Sequence, residues 1–285
     1  MSADLRPHLQ PWRSELLSAL PGVVHAVTRR EPGMGRADGN IGFSAPRDRA
    51  DAWAMRQAWC ESAGLVPERL VTLGQVHGVA VHLAIAAHAG RGAAPGSVQI
   101  GLGDALATDV SGPTLMMLHA DCQPVFFVAP GTRHRGPAVA VAHAGWRGTV
   151  ADIVGSTLGV MHAAFATRAQ DVHVALGPAI GSCCYHVGEE VVTAWRGRAG
   201  GDADSALQSD GDRVRFSLTA ANTLLLLRAG VNPKNIESSP VCTRCAGDRW
   251  FSHRGQGPHT GRFGAMIAIR NDGIIGCEAN KAGEW

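Results

Sequence analysis

Apolar and polar positions along the chain change their period repeatedly, and each period predicts an element. From Leu70 to Leu83, Val71, Leu73, Gln75, His77, Val79 and Val81 fall on every second position, which predicts one strand. Thr114–Val128 is a long apolar run interrupted by His119-Ala120-Asp121-Cys122. Ala138–His143 and Asp171–Leu176 are short buried-strand patterns. In residues 150–165, Val150, Ile153, Val154, Thr157, Leu158, Met161 and Phe165 recur at helical spacing, which predicts an amphipathic helix. Ala50–Ala63 and Leu218–Ala229 read as further helices. Phe263–Arg270, the turn Asn271-Asp272-Gly273 and Ile274–Cys277 read as a hairpin. Arg91–Gly103 and Arg196–Asp212 are rich in turn-forming residues and read as loops. No internal repeat stands out. The pattern predicts one α/β or α+β domain over residues 1–285, with some antiparallel pairing.

Composition narrows the class. The 285 residues carry 26 Lys+Arg against 24 Asp+Glu, a formal charge of +2, so no electrostatic footprint for nucleic acid is present. With 45% apolar and 18% charged residues the chain is no disordered segment. No apolar run reaches the ~18 residues of a membrane span, so no membrane partner is expected. Met1–Leu20 mixes charges with apolar residues and lacks the core of an export signal, so a cytoplasmic protein is expected. Seven cysteines, an odd number, suit reduced thiols or a metal site better than a disulfide framework. We expect a monomer.

Three apolar strands end on ligand-type residues beside turns: Gln75-Val76-His77-Gly78, Ala120-Asp121-Cys122 and His143-Ala144-Gly145-Trp146-Arg147-Gly148. Strand ends are where α/β proteins hold ligands. His77, Cys122 and His143 would make a three-donor set of the kind that leaves catalytic zinc an open position. Their spacing matches no short metal motif, and a histidine on an apolar strand is also a common core residue. Cys122 with a histidine base could instead be a nucleophile, although Asp121 beside it would oppose thiolate formation. Gly145-Trp146-Arg147-Gly148-Thr149 opens the 150–165 helix and offers either an anion site or a plain turn. Cys242-Thr243-Arg244-Cys245 is a lone CxxC. The adjacent pair Cys183-Cys184 is poorly spaced to complete one metal site, so these read as thiols. Arg29, Arg30, Arg244 and Arg254 read as solvated, each within possible reach of a substrate. No P-loop and no GxGxxG follows a strand.

These segments, with Asp104-Ala105-Leu106, Gln123-Pro124, Gly177-Pro178-Ala179-Ile180, Cys183-Cys184-Tyr185 and Val187-Gly188, resemble the multicopper polyphenol oxidase (laccase)-domain family. Asn40-Ile41-Gly42, Asn222 and Thr260-Gly261-Arg262 fit the same pattern over a core of about residues 25–270. The resemblance implies a helix–sheet–sheet–helix sandwich with mixed strand directions. It implies zinc held by His77, Cys122 and His143, and a purine nucleoside phosphorylase that also deaminates adenosine. The substrates implied are phosphate with adenosine, inosine or S-methyl-5′-thioadenosine. Arg147, Asn40 and Gln75 are the expected substrate- or phosphate-binding residues, and Asp121 either orients a ligand histidine or caps a strand. His186 departs from the family pattern, as do His253 and Gly255 in the run Phe251-Ser252-His253-Arg254-Gly255, where the family often has Phe-Ser-Tyr-Arg-Arg. Copper is less well served, because no His-x-His pair occurs among the 13 His. A cysteine hydrolase or amidase, a copper-dependent polyphenol oxidase and a non-catalytic metal-binding protein remain the alternatives.

Overall fold

The computed structural model describes residues 9–44, 46–131 and 136–270. Its first half runs α1 (Glu15–Ser18), β1 (Val23–Val27), α2 (Arg49–Ala63), β2 (Leu70–Val71), β3 (Val81–Leu83), β4 (Ala105–Thr108), β5 (Thr114–His119) and β6 (Gln123–Ala129). Then come β7 (Ala138–Ala144), α3 (Trp146–Val150), α4 (Ile153–Phe165), β8 (His173–Leu176), β9 (His186–Val187) and α5 (Glu189–Ala199). The chain continues through β10 (Leu207–Asp210), β11 (Arg213–Phe216), α6 (Leu218–Arg228), β12 (Ile236–Ser238), α7 (His253–Gln256) and β13 (Phe263–Ile269). No helix of the described residues is long and apolar enough to cross a membrane.

Two mixed sheets stack face to face. One has four strands in the order β1-β13-β5-β2, the other six in the order β12-β8-β6-β7-β4-β3. A three-stranded sheet, β10-β11-β9, stands beside them. Within the six, β12/β8 and β4/β3 are parallel and the other pairs antiparallel. This is the helix–sheet–sheet–helix sandwich that the resemblance implied.

The apolar runs are continuous because both faces of the central strands are covered. In β6, Val125 and Phe127 belong to the layer under α4, α5 and α6, while Phe126 and Val128 belong to the layer between the sheets. In β7, Ala138, Ala140, Ala142 and Ala144 face the helices, and their small side chains let α4 pack close. Val139 and Val141 face the other sheet, and alternation puts His143 on that same inner face. On the far side α2 lays Ala52, Trp59, Cys60 and Ala63 over the four-stranded sheet. Burying a large apolar side chain contributes about 1.5–3 kcal/mol, so Trp59→Ala is the single change expected to harm this layer most. Asp48 caps α2 by accepting from the N–H groups of Ala50 and Asp51, and Gly64 ends it at φ 71, where a Cβ would be strained.

Three sequence expectations need correction, and a fourth lies partly outside the described residues. Leu70–Leu83 is two short strands in different sheets, β2 and β3, because Thr72–Ala80 leaves the ladder as a connection carrying Gln75 and His77. The helix expected over 150–165 is broken. After α3, Asp152 takes a left-handed φ of 73 and caps α4 by accepting from the Gly155 N–H. Arg196–Asp212 is not all loop, since α5 runs to Ala199 and β10 begins at Leu207. Of the hairpin expected from Phe263, only the first strand lies within the described residues, and its partners are β1 and β5.

Candidate functional site

One carboxylate organises the centre. Asp104 is fully buried at the start of β4, opposite His143 in the extended β4/β7 register. Its Oδ1 accepts from Nδ1 of His143 at 2.9 Å. Its Oδ2 accepts from the N–H groups of Val76 and Gly78, at 3.2 and 2.7 Å. Those two bonds bracket His77 and hold it at φ 60, a left-handed conformation uncommon outside glycine. Asp104 thus fixes a ring on one side and a backbone bend on the other.

Cys122 follows the turn that carries the chain from β5, in one sheet, to β6, in the other. The turn requires Asp121 at φ 84, and three bonds stabilise it there. Asp121 Oδ1 accepts from Thr243 Oγ1 at 2.7 Å, Oδ2 from the Arg254 N–H at 2.6 Å, and its carbonyl from the Ile180 N–H at 2.9 Å. Asp121 therefore orients no histidine; it ties the turn to three other segments, and Asp104 is the residue that orients His143.

The donor atoms of His77, Cys122 and His143 lie within 4.8 Å of one another. His77 is exposed, Cys122 half-buried and His143 buried, so the set opens to one side. Gly145 permits this approach: a Cβ there would lie 2.9 Å from Cys122 Sγ and 3.2 Å from His77 Cδ2. Burial pushes the Cys122 thiol up, but the charge of His143 and hydrogen bonds from both imidazoles outweigh it and bring the thiol down to about 6. Burial depresses His143, yet the Cys122 thiolate and Asp104 raise it to about 9. A protonated Nε2 of His143 thus stands where a cation could replace the proton. Two imidazoles and a thiolate are donors for zinc or copper, not for magnesium or calcium.

The set forms part of the wall of a cavity of about 690 Å³. Trp146, Tyr185, Ile180 and Leu218 supply apolar wall, and Arg147, Arg254 and Arg262 supply positive charge. Burial, then the Cys122 thiolate, pushes the Tyr185 hydroxyl up to about 12, so it stays protonated and able to donate. Arg147 stacks on Trp146 at 4.3 Å and its side chain is 59% exposed, with Glu190 at 3.6 Å. Arg254 packs over Tyr185 and donates to the His186 carbonyl at 2.8 Å. A larger depression, of about 920 Å³, lies at the opposite ends of β6 and β7 and contains none of these residues.

The remaining sequence candidates take other places. Gln75 lines the cavity, but its amide is bonded both ways to the backbone of Leu118, at 2.8 Å each. Asn40 is buried and does not line the cavity. Its amide brackets Gly42 and accepts from the Arg262 N–H at 2.8 Å, so it acts on the wall through Arg262. Of the arginines read as solvated, Arg30 pairs with Asp38 at 2.7 Å and Arg254 reaches the cavity. His186 is turned to Asp210 at 2.7 Å, whereas His253 lines the cavity. The sequence reading missed His119, fully buried with Nδ1 3.1 Å from the Cys122 carbonyl and its ring 5.2 Å from His143. Its place at the end of an apolar strand three residues before Cys122 was the available signal. The sequence reading also kept Cys183 and Cys184 apart from Cys242 and Cys245; their sulfurs lie within 4.8 Å of one another.

The sandwich is that of a mixed α/β protein, and the donor set could hold a metal ion. The chain belongs to the multi-copper polyphenol oxidoreductase laccase family, whose model matches residues 24–270. A purine nucleoside phosphorylase, YlmD, of Geobacillus stearothermophilus is 34% identical over 88% of this chain and 92% of its own length. The crystal structure of YlmD superposes with a TM-score of 0.83, covering 88% of this chain and 93% of that one. An adenosine deaminase, RL5, from an unknown prokaryotic organism is 36% identical over 56% of this chain and 59% of its own length. The family implies a metal, and the two nitrogens and one sulfur assembled here suit one.

Proposed function

We propose that the chain is a zinc-dependent purine nucleoside phosphorylase that also deaminates adenosine. The observation that carries this is the His77–Cys122–His143 set, open on one side into a cavity that three arginines help to line. The names of the relatives supply the substrate class, and a cavity of this size suits a nucleoside. The middle hydrophobic layer shares strands with each outer layer, which supports one catalytic domain.

Zinc held by His77, Cys122 and His143 would supply a Lewis acid with an open position. The chain's own groups do the rest. Asp104 fixes the His143 tautomer, leaving Nε2 toward the centre. Arg147, Arg254 and Arg262 favour a phosphate at the cavity wall, and Trp146 and Tyr185 offer faces for a purine. In phosphorolysis the phosphate oxygen bonds to C1′ as the C1′–N9 bond breaks, and the base leaves with a proton. In deamination water adds at C6 and ammonia leaves. No methionine lines the cavity among the described residues, which supports zinc over a blue-copper centre with an axial thioether.

One observation favours a second reading. Cys122, His143 and Asp104 are linked in the order of a nucleophile, a base and an orienting carboxylate. A cysteine hydrolase would use the same geometry without metal. Incubation of adenosine with and without phosphate, before and after chelation, separates the two. Adenine plus ribose 1-phosphate with phosphate, inosine without it, and loss of both on chelation with recovery on added zinc are expected. Turnover that survives complete metal removal would transfer the assignment to the cysteine hydrolase. Oxidation of a phenol by the copper-loaded protein, faster than nucleoside turnover, would transfer it to an oxidase.

A further inference from the structure

We propose that Cys183, Cys184, Cys242 and Cys245 hold a second zinc ion, in a closed structural site distinct from the His77–Cys122–His143 centre. The four sulfurs lie within 4.8 Å of one another, with Cys183–Cys245 at 3.6 Å and Cys184–Cys245 at 3.4 Å. A tetrahedral zinc with Zn–S bonds of about 2.3 Å places its sulfurs about 3.8 Å apart. A disulfide needs sulfurs at about 2.05 Å, so these contacts match a shared ion better than a bond between any of these pairs.

The local backbone is built for this convergence. Consecutive side chains of an extended segment point to opposite sides, which is why an adjacent pair is a poor chelate there. Here a turn closed by Cys184 N–H to the Gly181 carbonyl, at 2.9 Å, bends the chain and brings both sulfurs to Cys245. Gly181 lets the opposing loop approach: a Cβ would lie 3.1 Å from Cys183 Sγ and from Cys242 Cβ. Ala179 bridges Cys242 in parallel fashion, which fastens the two loops in register. The Cys242 sulfur accepts from the N–H groups of Gly181, at 3.2 Å, and Cys245. Backbone donors aimed at a sulfur stabilise the thiolate that a metal requires. Four thiolates leave no open position, so the role is to staple loops rather than to activate a substrate.

The stapled loops are the ones that build the cavity wall. The first carries Ile180 and Tyr185; the second carries Thr243, which bonds Asp121 beside Cys122. The ion would thus rigidify one side of that cavity from outside it. The inference stands on the cluster alone and does not depend on the catalytic reading.

The test is metal stoichiometry by elemental analysis on protein purified without chelator, with native thiol counting. Wild type should hold about one equivalent of zinc more than the Cys242→Ser/Cys245→Ser variant. His77→Ala should lose its zinc from the other centre and keep this one, so failure of one assignment is separable from failure of the other. Cys183→Ser, at an exposed position, guards against misfolding of the double variant and should weaken retention against a competing chelator. Cadmium exchange gives an independent reading: it should produce strong sulfur-to-metal charge-transfer absorption from this cluster in wild type, persisting in Cys122→Ser. Equal zinc in wild type and the folded Cys242→Ser/Cys245→Ser variant would overturn the proposal. So would an intact mass showing the four sulfurs joined as disulfides, or iron in place of zinc.

Discussion

Asp104 and His143 are joined twice: the His143 N–H donates to the Asp104 carbonyl at 2.7 Å, and its Nδ1 to the Asp104 carboxylate at 2.9 Å. The first bond extends the β4/β7 ladder by one residue, and the second locks the imidazole. Sheet register therefore sets the orientation of a donor side chain. Because the other carboxylate oxygen holds the bend around His77, one residue governs two of the three donors.

Replacing Asp104 tests this arrangement. Removing the partner of a metal-bound histidine commonly lowers metal affinity about 10- to 100-fold. Asp104→Ala should fall at or beyond the upper end, since the His77 bend loses its acceptor too. Asp104→Asn should be milder at His77, where the amide oxygen can still accept. Competition with a chromophoric chelator measures both. Unchanged affinity in Asp104→Ala would remove Asp104 from the centre.

Gly145→Ala probes packing at the same centre. The Gly145 backbone, at φ −79 and ψ 171, suits alanine, so any loss is steric. The added Cβ meets Cys122 Sγ at 2.9 Å, and overpacking of this kind costs about 1–3 kcal/mol. Gly188 is the matched control, with φ −85, ψ 174 and open space at its Cβ. Gly145→Ala should lose metal and activity while Gly188→Ala keeps both. Equal behaviour of the two variants would contradict the contact.

How much of this was legible in the sequence depended on distance along the chain. β6 and β7 were visible as apolar runs because both faces are buried, and Cys122 and His143 were visible as ligand types at strand ends, whereas His77 lies on the connection between β2 and β3. The alternation from Leu70 to Leu83 misled, because period two was shared by two strands that join different sheets and by the connection between them. Asp104 belonged to a recognisable segment, but its role follows from β4/β7 register, which local periodicity does not encode. The cluster of Cys183, Cys184, Cys242 and Cys245 was hidden for the same reason. Adjacent cysteines look unsuited to one ion until a turn at Gly181 folds them together.

His25 makes stability depend on pH. It is 1% exposed, and its Nε2 accepts from the Ser14 N–H at 2.8 Å, a role only the neutral ring can fill. Burial first, then the Arg13 charge, pulls its pKa down to about 4. The unfolded chain takes up this proton near pH 6.5 and the folded chain only near 4, so acid favours unfolding across that window. The loss should approach about 3 kcal/mol by pH 4, and His25 adds nothing further below it. His25→Gln keeps an acceptor for Ser14 without the titration. Urea unfolding should show a shallower loss for His25→Gln between about pH 6.5 and 4; parallel curves for the two proteins would exclude His25 as the cause.

Arg147 gives a prediction that separates the two proposed reactions. α3 spans only Trp146–Val150, so its dipole adds little, and any phosphate affinity here comes from the guanidinium. That group already lies in the cavity wall, over the Trp146 ring at 4.3 Å and only loosely paired with Glu190. An exposed pair of this kind is worth at most about 1 kcal/mol, so a dianion would displace Glu190 readily. A charged hydrogen bond contributes about 1.5–3 kcal/mol, or about 10- to 150-fold in an equilibrium. Arg147→Ala should weaken phosphate use by a factor in that range, and Arg147→Lys should restore only part, lacking the planar fork. Deamination consumes water instead of phosphate and should suffer less. The measurement is the ratio of phosphorolysis to deamination at fixed adenosine, with zinc content checked in each variant. A ratio unchanged in zinc-replete Arg147→Ala would mean that Arg147 shapes the Trp146 wall, leaving Arg254 and Arg262 to hold the phosphate.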